Sequence, residues 1–158
     1  MKIHALQFNF SQKGFTLLEL VLILTMIGMV SVGLFNASTI QTVDVEPAAI
    51  KVINDIRFAQ DRAMVTGRNH GFITNSTTQY TIYDSVPTTP TMDPSSQTNM
   101  VISLSPTYQN VVFQNNYQIE FNSLGTPVVG AGTNISLSNG SVTKQFLVTN
   151  NTGLINLP

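Results

Sequence analysis

The chain contains no cysteine, so it can form neither a disulfide framework nor a thiolate metal site. Charged residues make up only 9% of its 158 residues, and the formal net charge is −1. The sequence therefore offers no broad electrostatic field that would attract polyanions. A chain of this length fits one domain with a single core plus an appendage, and it leaves no room for a second catalytic domain.

Catalytic side chains are also scarce. A Ser-His-Asp arrangement outside the first 14 residues would have to use His70, and no Gly-x-Ser-x-Gly nucleophile elbow occurs. We expect His70, which follows a predicted helix end, to be solvated or to cap that helix. Asp84 and Asp93 could offer oxygens to calcium, but no ligand-dense loop surrounds them, and we expect them to be solvated. The sequence thus predicts no enzyme, no metal site and no cofactor.

The longest apolar run extends from Phe15 to Phe35 and contains one ionisable residue, Glu19. As a helix it would be about 31 Å long, which matches the hydrocarbon core of a bilayer. Basic residues precede the run, and the first charge after it is acidic, Asp44. By the positive-inside rule the amino terminus stays in the cytoplasm and the rest lies outside. A secretory signal would be shorter and followed by a small-x-small site. We predict a single transmembrane helix over residues 15–35.

Glu19 is an unusual residue for such a helix. A carboxylate costs roughly 2.5–3.5 kcal/mol at the bilayer centre and less near the edge. Either Glu19 lies at the interface, where the helix dipole favours an anion, or it has a cationic partner in the membrane. Cleavage between Gly14 and Phe15 would create an α-amino group one helical turn away. That amine is too close along the same chain for a good match, but it is available to a neighbouring subunit.

The residues at this boundary read Lys13-Gly14-Phe15-Thr16-Leu17-Leu18-Glu19-Leu20. This segment, with the apolar helix behind it, resembles the processing motif of type IV prepilins and type II secretion pseudopilins. The resemblance implies that a prepilin peptidase removes residues 1–14 as a leader and that Phe15 becomes N-methylated. It also implies that Glu19 recruits or registers the subunit against its neighbour, with the Phe15 amine as the second assembly contact.

A second helical pattern follows the apolar run. Its apolar residues recur at 3.6-residue spacing and comprise Ala49, Val52, Ile53, Ile56, Ala59 and Ala63. We predict an amphipathic stem helix over residues 36–67 that packs this face on a sheet. Pro47 either bends the helix or begins its second segment at the first turn, and Gly67 ends the pattern. Arg57 and Asp61 are spaced for a weak surface ion pair.

Phe58 and Val65 lie seven residues apart and project away from the apolar face of the stem. Strands or the long loop could cover them within the monomer. Otherwise they would contact adjacent subunits, so both are candidate subunit contacts.

Residues 68–158 read as a β-rich head. Short strands are predicted at 71–74, 79–83, 100–104, 111–114, 117–122 and 154–157. Ile135 and Leu137 alternate with polar residues, and Asn139-Gly140 predicts a two-residue hairpin turn before a return strand through Phe146 and Val148. Residues 85–98 are rich in Pro, Ser and Thr and predict a long exposed loop. Together these elements predict an α+β fold, a long amino-terminal helix packed on small antiparallel sheets.

The head bears a second resemblance, to the GspH/FimT family of minor pilins and pseudopilins. The stem end, residues 56–68, is similar to the family's helix end, although Gln60 stands where an Arg is common. Residues 119–125 and 146–155 resemble its two glycine-marked closing segments. The resemblance implies a structural subunit, present in few copies, that helps initiate or cap a type IV pilus or type II secretion pseudopilus.

The same resemblance implies the chain's location and partners. The subunit would sit in the bacterial inner membrane, with its head in the periplasm or outside the cell, before it enters a filament. Its partners would be other pilin or pseudopilin subunits, the prepilin peptidase and the inner-membrane assembly platform.

Two alternatives use the same scaffold. One is a DNA-receptor or adhesive subunit at the filament tip, since some minor pilins bind DNA. DNA binding requires clustered Lys or Arg, whereas the basic residues of the stem are interleaved with Asp55 and Asp61. We therefore expect no DNA binding. The other alternative, the major filament subunit, differs chiefly in copy number.

Overall fold

The computed structural model describes residues 14–34 and 45–156, and for residues 28–34 only the backbone. The chain divides into two units, Met1–Ala37 and Ser38–Pro158. The proposed leader up to residue 13, and residues 35–44 between the predicted membrane and stem helices, lie outside the described residues. The division into leader, membrane helix, stem and head therefore stays a prediction.

The described part of the first unit is one helix, α1, which spans Leu17–Leu34. Helix α1 begins two residues after Phe15, the first residue of the apolar run, because Thr16 caps the helix and is not itself part of it. The backbone N–H of Leu20 donates to the Thr16 carbonyl at 3.1 Å, which closes the first helical turn.

The second unit begins with helix α2, Val45–Thr66. Pro47 lies in its first turn, where the missing backbone N–H has no helical acceptor to lose. All six residues of the predicted apolar face are at most 2% exposed, which confirms that face. Gly67 adopts a left-handed φ of 68° and donates its N–H to the Ala63 carbonyl at 3.0 Å, so the helix ends where the sequence predicted.

Nine strands follow α2 within the described residues. They are β1 His70–Ser76, β2 Gln79–Asp84, β3 Val101–Ser103, β4 Val112–Phe113, β5 Gln118–Phe121, β6 Pro127–Val129, β7 Asn134–Ser138, β8 Thr143–Val148 and β9 Ile155–Asn156. One sheet has the order β3-β2-β1-β5-β6 and the other β4-β7-β8-β9, and every pairing is antiparallel. Helix α2 packs against strands of both sheets, which confirms the α+β prediction.

The core between α2 and the sheets contains four aromatic rings in contact. The Phe72 ring lies 5.2 Å from that of Tyr80, and Phe113 meets Tyr80 edge-on at 5.9 Å and Tyr117 at 6.3 Å. Tilted and edge-to-face pairs at such distances add stabilisation beyond simple burial. These contacts join β1 and β2 of one sheet to β4 of the other.

Three details of the predicted head are wrong. The β7–β8 turn is centred on Gly140-Ser141, not Asn139-Gly140, because Ser138 pairs with Thr143 and Gly140 takes the positive φ at the first central position. Within the loop predicted to be exposed, Thr91 is 4% exposed and bridges the Ile82 carbonyl to the Met100 N–H, each at 2.8 Å. Strand β6 was not predicted, since three residues beginning with proline give no strand pattern.

Asp55, one of the acidic residues interleaved with the basic residues of the stem, is not a surface charge. Its side chain is largely buried and accepts hydrogen bonds from the Tyr80 hydroxyl at 2.6 Å and the Lys51 ammonium at 2.5 Å. Burial, and secondarily the Asp55 charge, raise the pKa of Tyr80 well above its ordinary range, so the phenol stays a donor. The pair fixes α2 to β2 inside the core.

Gly71 of β1 is required by close packing. A β-carbon there would overlap the Ile119 carbonyl oxygen and the ring of Tyr83, which lies across the glycine. The Tyr83 hydroxyl donates to Glu120 at 3.0 Å, and burial chiefly raises the pKa of Tyr83 to about 12. Strands β1, β2 and β5 therefore interlock at this position.

We predict that Gly71→Ala lowers the free energy of unfolding by about 3 kcal/mol, because backbone and ring must both move to admit one methyl group. The measurement is urea unfolding followed by tyrosine fluorescence, which reports on the head because all four tyrosines lie there. Gly67→Ala is the comparison: it has open space but a strained φ, and should cost about 1 kcal/mol. Equal losses for the two variants would contradict the packing argument.

Candidate functional site

The amino-terminal end of α1 carries a capping arrangement. The Thr16 hydroxyl oxygen accepts the backbone N–H of Glu19 at 3.2 Å, and Glu19 occupies the third helical position. A Thr followed three residues later by Glu is the sequence signature of a capping box. The carboxylate also lies in the first turn, where the helix dipole favours a negative charge. Thr16 thus sets where the helix starts relative to Gly14 and Phe15.

The predicted cleavage site lies just before this cap. Gly14 precedes the helix, has no heavy atom within 4 Å of its would-be β-carbon, and is exposed. Phe15 is 75% exposed. Glu19 is exposed as well, and among the described residues its carboxylate has no hydrogen-bonding or ionic partner. All three predicted site residues are therefore accessible on a short stretch of chain.

The described side chains of α1 are apolar on all sides of the helix. Ten large apolar residues between Phe15 and Ile27 are 43% or more exposed. A helix that is apolar all round needs a surrounding apolar phase or partners, since an amphipathic stripe is missing. Among the residues that the structure describes, no helix reaches the combined length and hydropathy of a membrane-spanning segment. The transmembrane prediction for residues 15–35 stays a prediction.

The two candidate subunit contacts on α2 have different surroundings. Phe58 is half-buried and packs against the hydrophobic core, as expected if other parts of the monomer cover it. Val65 is 79% exposed near the end of the helix. Of the two, Val65 has surface available to another subunit.

Gln60 joins α2 to two distant turns. Its amide nitrogen donates to the Gly125 carbonyl at 2.7 Å and to the Thr152 carbonyl at 2.9 Å. Gly125 and Gly153 both adopt left-handed backbone, and a β-carbon on Gly153 would meet Gln60 and Phe121 at 2.7 Å. The two glycine-marked segments thus meet at one amide. The neutral Gln60 amide thus donates to one carbonyl of each turn.

Most basic residues of the second unit are engaged within that unit. Arg57 does not pair with Asp61 as predicted; its guanidinium donates to the Ile155 carbonyl at 3.1 Å, where it covers the edge strand β9. The ion pairs are Lys51–Asp55 at 2.5 Å, Arg68–Asp84 at 2.9 Å and Lys144–Glu46 at 2.5 Å. Such pairs do not form the clustered free cations that bind phosphates.

His70 is fully buried, so the expectation that it is solvated is wrong. Its Nε2 lies 2.9 Å from the Thr66 hydroxyl, which also lies 2.7 Å from the Arg62 carbonyl oxygen. Its Nδ1 lies 3.4 Å from the Thr91 hydroxyl. The ring therefore joins the end of α2, the start of β1 and the loop through Thr91.

The charge of the imidazole is controlled by its surroundings. Burial lowers the pKa of His70 below its ordinary value of 6.5, and Arg62 and Arg68 lower it further. The Asp84 carboxylate, 3.6 Å from Nε2, opposes this effect. The structure thus favours a neutral, structural histidine over a catalytic base.

The two acidic residues considered for calcium are used locally. Asp84 pairs with Arg68, and Asp93 accepts the N–H and hydroxyl of Ser95, each at 2.7 Å. These hydrogen bonds lower the pKa of Asp93. Within the described part of the chain, no group of three His, Cys, Asp or Glu side chains could hold a metal ion.

The sequence carries a local signal for the helix cap at Thr16, but it carries none for the role of Gln60. Thr16 and Glu19 form the Thr-x-x-Glu capping signature. Gln60 was identified only as a departure from a family pattern, and its role depends on two turns that are distant in sequence. Only the fold brings those turns together.

Comparisons with known proteins agree with this geometry. Residues 9–35 match the family model of the prokaryotic N-terminal methylation motif. Two crystal structures of the type IV minor pilin FimU of Pseudomonas aeruginosa have a similar fold, with TM-scores of 0.55 and 0.53 at 12% and 11% identity. The similarity covers 74% and 72% of this chain and 90% and 91% of those chains. No curated protein matches the chain.

The chain is type IV pilin-like. The methylation motif and the fold are separate observations, because one is a match of sequence over residues 9–35 and the other is a similarity of structure. The motif also indicates membrane anchoring, as pilin-like chains have.

We predict that the stability of this pilin-like head falls as the pH drops below about 6.5. The unfolded chain binds a proton at His70 near that pH, whereas the folded chain, with its lowered pKa, resists protonation. The loss should approach at most about 1.4 kcal/mol per pH unit for one histidine. It should continue until the pH reaches the lowered value. Thermal unfolding between pH 7.5 and 5 measures it.

His70→Gln is the matched variant for this measurement. It should be less stable at pH 7.5, because Thr66 and Thr91 lose a well-placed partner, but its stability should be nearly constant between pH 7.5 and 5.5. An unchanged pH dependence in the variant would assign the effect to other groups.

Proposed function

We propose that the chain is a minor pilin or pseudopilin subunit, cleaved after Gly14, N-methylated at Phe15, and assembled into a type IV pilus or type II secretion pseudopilus. The methylation motif at residues 9–35 is the observation that carries the proposal. The subunit would help to initiate or cap the filament, and the FimU-like fold supports a minor rather than an abundant role. The abundant filament subunit is the alternative, and copy number separates the two.

The geometry around Gly14 suits processing. Gly14 is exposed and lies outside the helix, and no described residue approaches its would-be β-carbon, so a peptidase would find the bond between Gly14 and Phe15 accessible. Hydrolysis would leave the Phe15 amine one residue before the Thr16 cap. The prepilin peptidase is the partner that this step requires.

Glu19 is the proposed assembly contact. Its carboxylate lies in the first turn of an apolar helix and has no partner among the described residues. A charge in a membrane costs least when an opposite charge lies beside it. The Phe15 amine of a neighbouring subunit supplies that charge, so the pair would register one subunit against the next. The Glu19 carboxylate is then satisfied by assembly rather than by folding.

Location and partners follow from this proposal. The chain would be a single-pass protein of the bacterial inner membrane, with the amino terminus in the cytoplasm and the head in the periplasm or outside the cell. The assembly platform would extract it into a filament with other pilin or pseudopilin subunits. Val65, exposed on α2, is a further proposed subunit contact; Phe58, packed against the core, is a weaker candidate.

We predict that Glu19→Ala is inserted in the membrane and cleaved normally but is at least ten-fold depleted from sheared filaments, because the neighbouring amine loses its partner. Immunoblots of membranes and of sheared filaments measure the two steps. Leu20→Ala, the adjacent change in the same helix, is the control and should enter filaments at near wild-type levels. Normal incorporation of Glu19→Ala would count against the charge pair, though not against membrane anchoring.

We predict that the chain binds duplex DNA only weakly at physiological salt. The basic side chains Lys51, Arg68 and Lys144 are ion-paired and Arg57 donates to a carbonyl, so few counterions would be released on binding. A shift assay at two salt concentrations measures this. Submicromolar binding that weakens steeply with salt would instead support a DNA-receptor function.

A further inference from the structure

Two leucines lie at the tips of turns that are pinned to the end of α2. Leu124 is 80% exposed in the β5–β6 turn, and Leu154 is 54% exposed at the end of the β8–β9 turn. Met64, 46% exposed on α2, lies against Gly125, the neighbour of Leu124. We call Met64, Leu124 and Leu154 the leucine patch. Turn tips are ordinarily polar, so large apolar side chains there indicate a contact surface.

We propose that the leucine patch is the surface by which the head docks on the head of a second pilin-type subunit. This proposal rests on the proposed function, and it names a contact that the amino-terminal motif does not specify. The partner surface would be apolar and uncharged, as the patch itself is.

Gln60 holds the patch together. Its amide donates to Gly125, next to Leu124, and to Thr152, two residues before Leu154. The Gly125 carbonyl oxygen also lies 3.0 Å from where a β-carbon on Gly153 would be. The two turns are therefore close to each other, and both are hydrogen-bonded to the Gln60 amide. Their leucines keep a fixed separation that sequence distance alone would not impose.

The backbone of the Leu124 turn is fixed by its own hydrogen bonds. The Asn122 side-chain oxygen accepts the N–H groups of Leu124 at 2.9 Å and Thr126 at 3.1 Å. The Gly125 N–H donates to the Asn122 carbonyl at 2.9 Å. Leu124 is thus exposed on an ordered turn rather than on a loose loop.

The Leu154 turn is fixed in the same way. The Thr149 N–H donates to the Leu154 carbonyl at 3.0 Å, and the Gly153 N–H donates to the Thr149 carbonyl at 3.0 Å. The hydroxyls of Thr149 and Thr152 lie 2.7 Å apart and add a side-chain link. Apolar anchors on a pre-organised backbone lose little conformational entropy when a partner covers them.

The side chains in and around the leucine patch indicate which class of molecule could bind there. The two turns, residues 122–126 and 149–154, contain no charged residue and present Asn, Ser and Thr around the leucines. Nucleic acids and anionic membrane surfaces are recognised through Lys and Arg beside the apolar groups. The turns give the leucines a neutral polar rim, and the exposed Asp61 and Arg68, three residues before and four after Met64, add one charge of each sign. An apolar centre with such a mixed polar rim is the composition of a protein interface.

The leucine patch is small, so it could serve as a contact only between subunits that are already held together in an assembly. Three partly exposed side chains cover at most a few hundred Å², whereas a stable interface buries about 800 Å² on each partner. The patch alone is therefore too small to hold two soluble chains together. Subunits held side by side in a membrane or filament have a high effective concentration, at which such a contact is sufficient.

The first test uses the full-length chain in cells that assemble the filament. Leu124→Asp and Leu154→Asp together should leave leader cleavage and tyrosine-monitored melting unchanged, since both side chains are exposed, but should lower incorporation into sheared filaments at least ten-fold. Leu124→Ser, which removes the apolar group without adding charge, should lower it at least three-fold. Met92→Asp is the matched control: Met92 is 59% exposed on the loop before β3 and should incorporate normally.

The second test identifies the occupant. The chain lacks cysteine, so Leu124→Cys can be labelled uniquely with a benzophenone maleimide and irradiated in the cell envelope. A cross-linked peptide from the head of a pilin-type subunit supports the proposal. Adducts confined to lipid or to a protein of another class overturn it, as does wild-type incorporation of either the double Asp variant or Leu124→Ser. If the unmodified chain is itself neither cleaved nor found in filaments, the proposed function fails rather than the patch alone.

Discussion

Helix α2 is the element on which the head depends, because both sheets pack on its one apolar face. Four alanines on this face, Ala48, Ala49, Ala59 and Ala63, are fully buried. Small side chains let strands approach the helix axis closely. Strands of both sheets contact α2. The helix therefore acts as their shared core.

Polar residues of α2 then fix how the sheets sit on that core. Asp55 accepts from Tyr80 of β2, Arg57 donates to the carbonyl of Ile155 at the β9 edge, and Gln60 joins two turns. Asp55 is buried, and a buried polar group that loses its partner costs about 1–3 kcal/mol, so its contact penalises alternative placements of β2. Side chains that resemble surface charges in the sequence are thus structural. Because these side chains are engaged within the fold, they are not available to bind nucleic-acid phosphates.

The sequence predicted those features that depend on local pattern. The apolar face of α2, its end at Gly67 and most strands follow from periodicity and glycine. It could not predict the environment of His70 or Asp55, because Thr91 and Tyr80 approach them from distant segments. The β7–β8 turn was misplaced by one residue, since Asn139 and Gly140 are both turn formers and only the strand register decides between them. The Thr16 cap was predictable from its local signature.

The two units differ in whether their charged side chains have partners, and this difference bears on assembly. In the second unit several charged side chains are ion-paired within the same unit, whereas the carboxylate of Glu19 has no partner among the described residues. The capping hydrogen bond uses the Glu19 backbone N–H and leaves its carboxylate available. Thr16 thus fixes the helix start without consuming the charge. A cap made by a carboxylate would have satisfied Glu19 internally and removed the reason for a neighbouring amine to bind there.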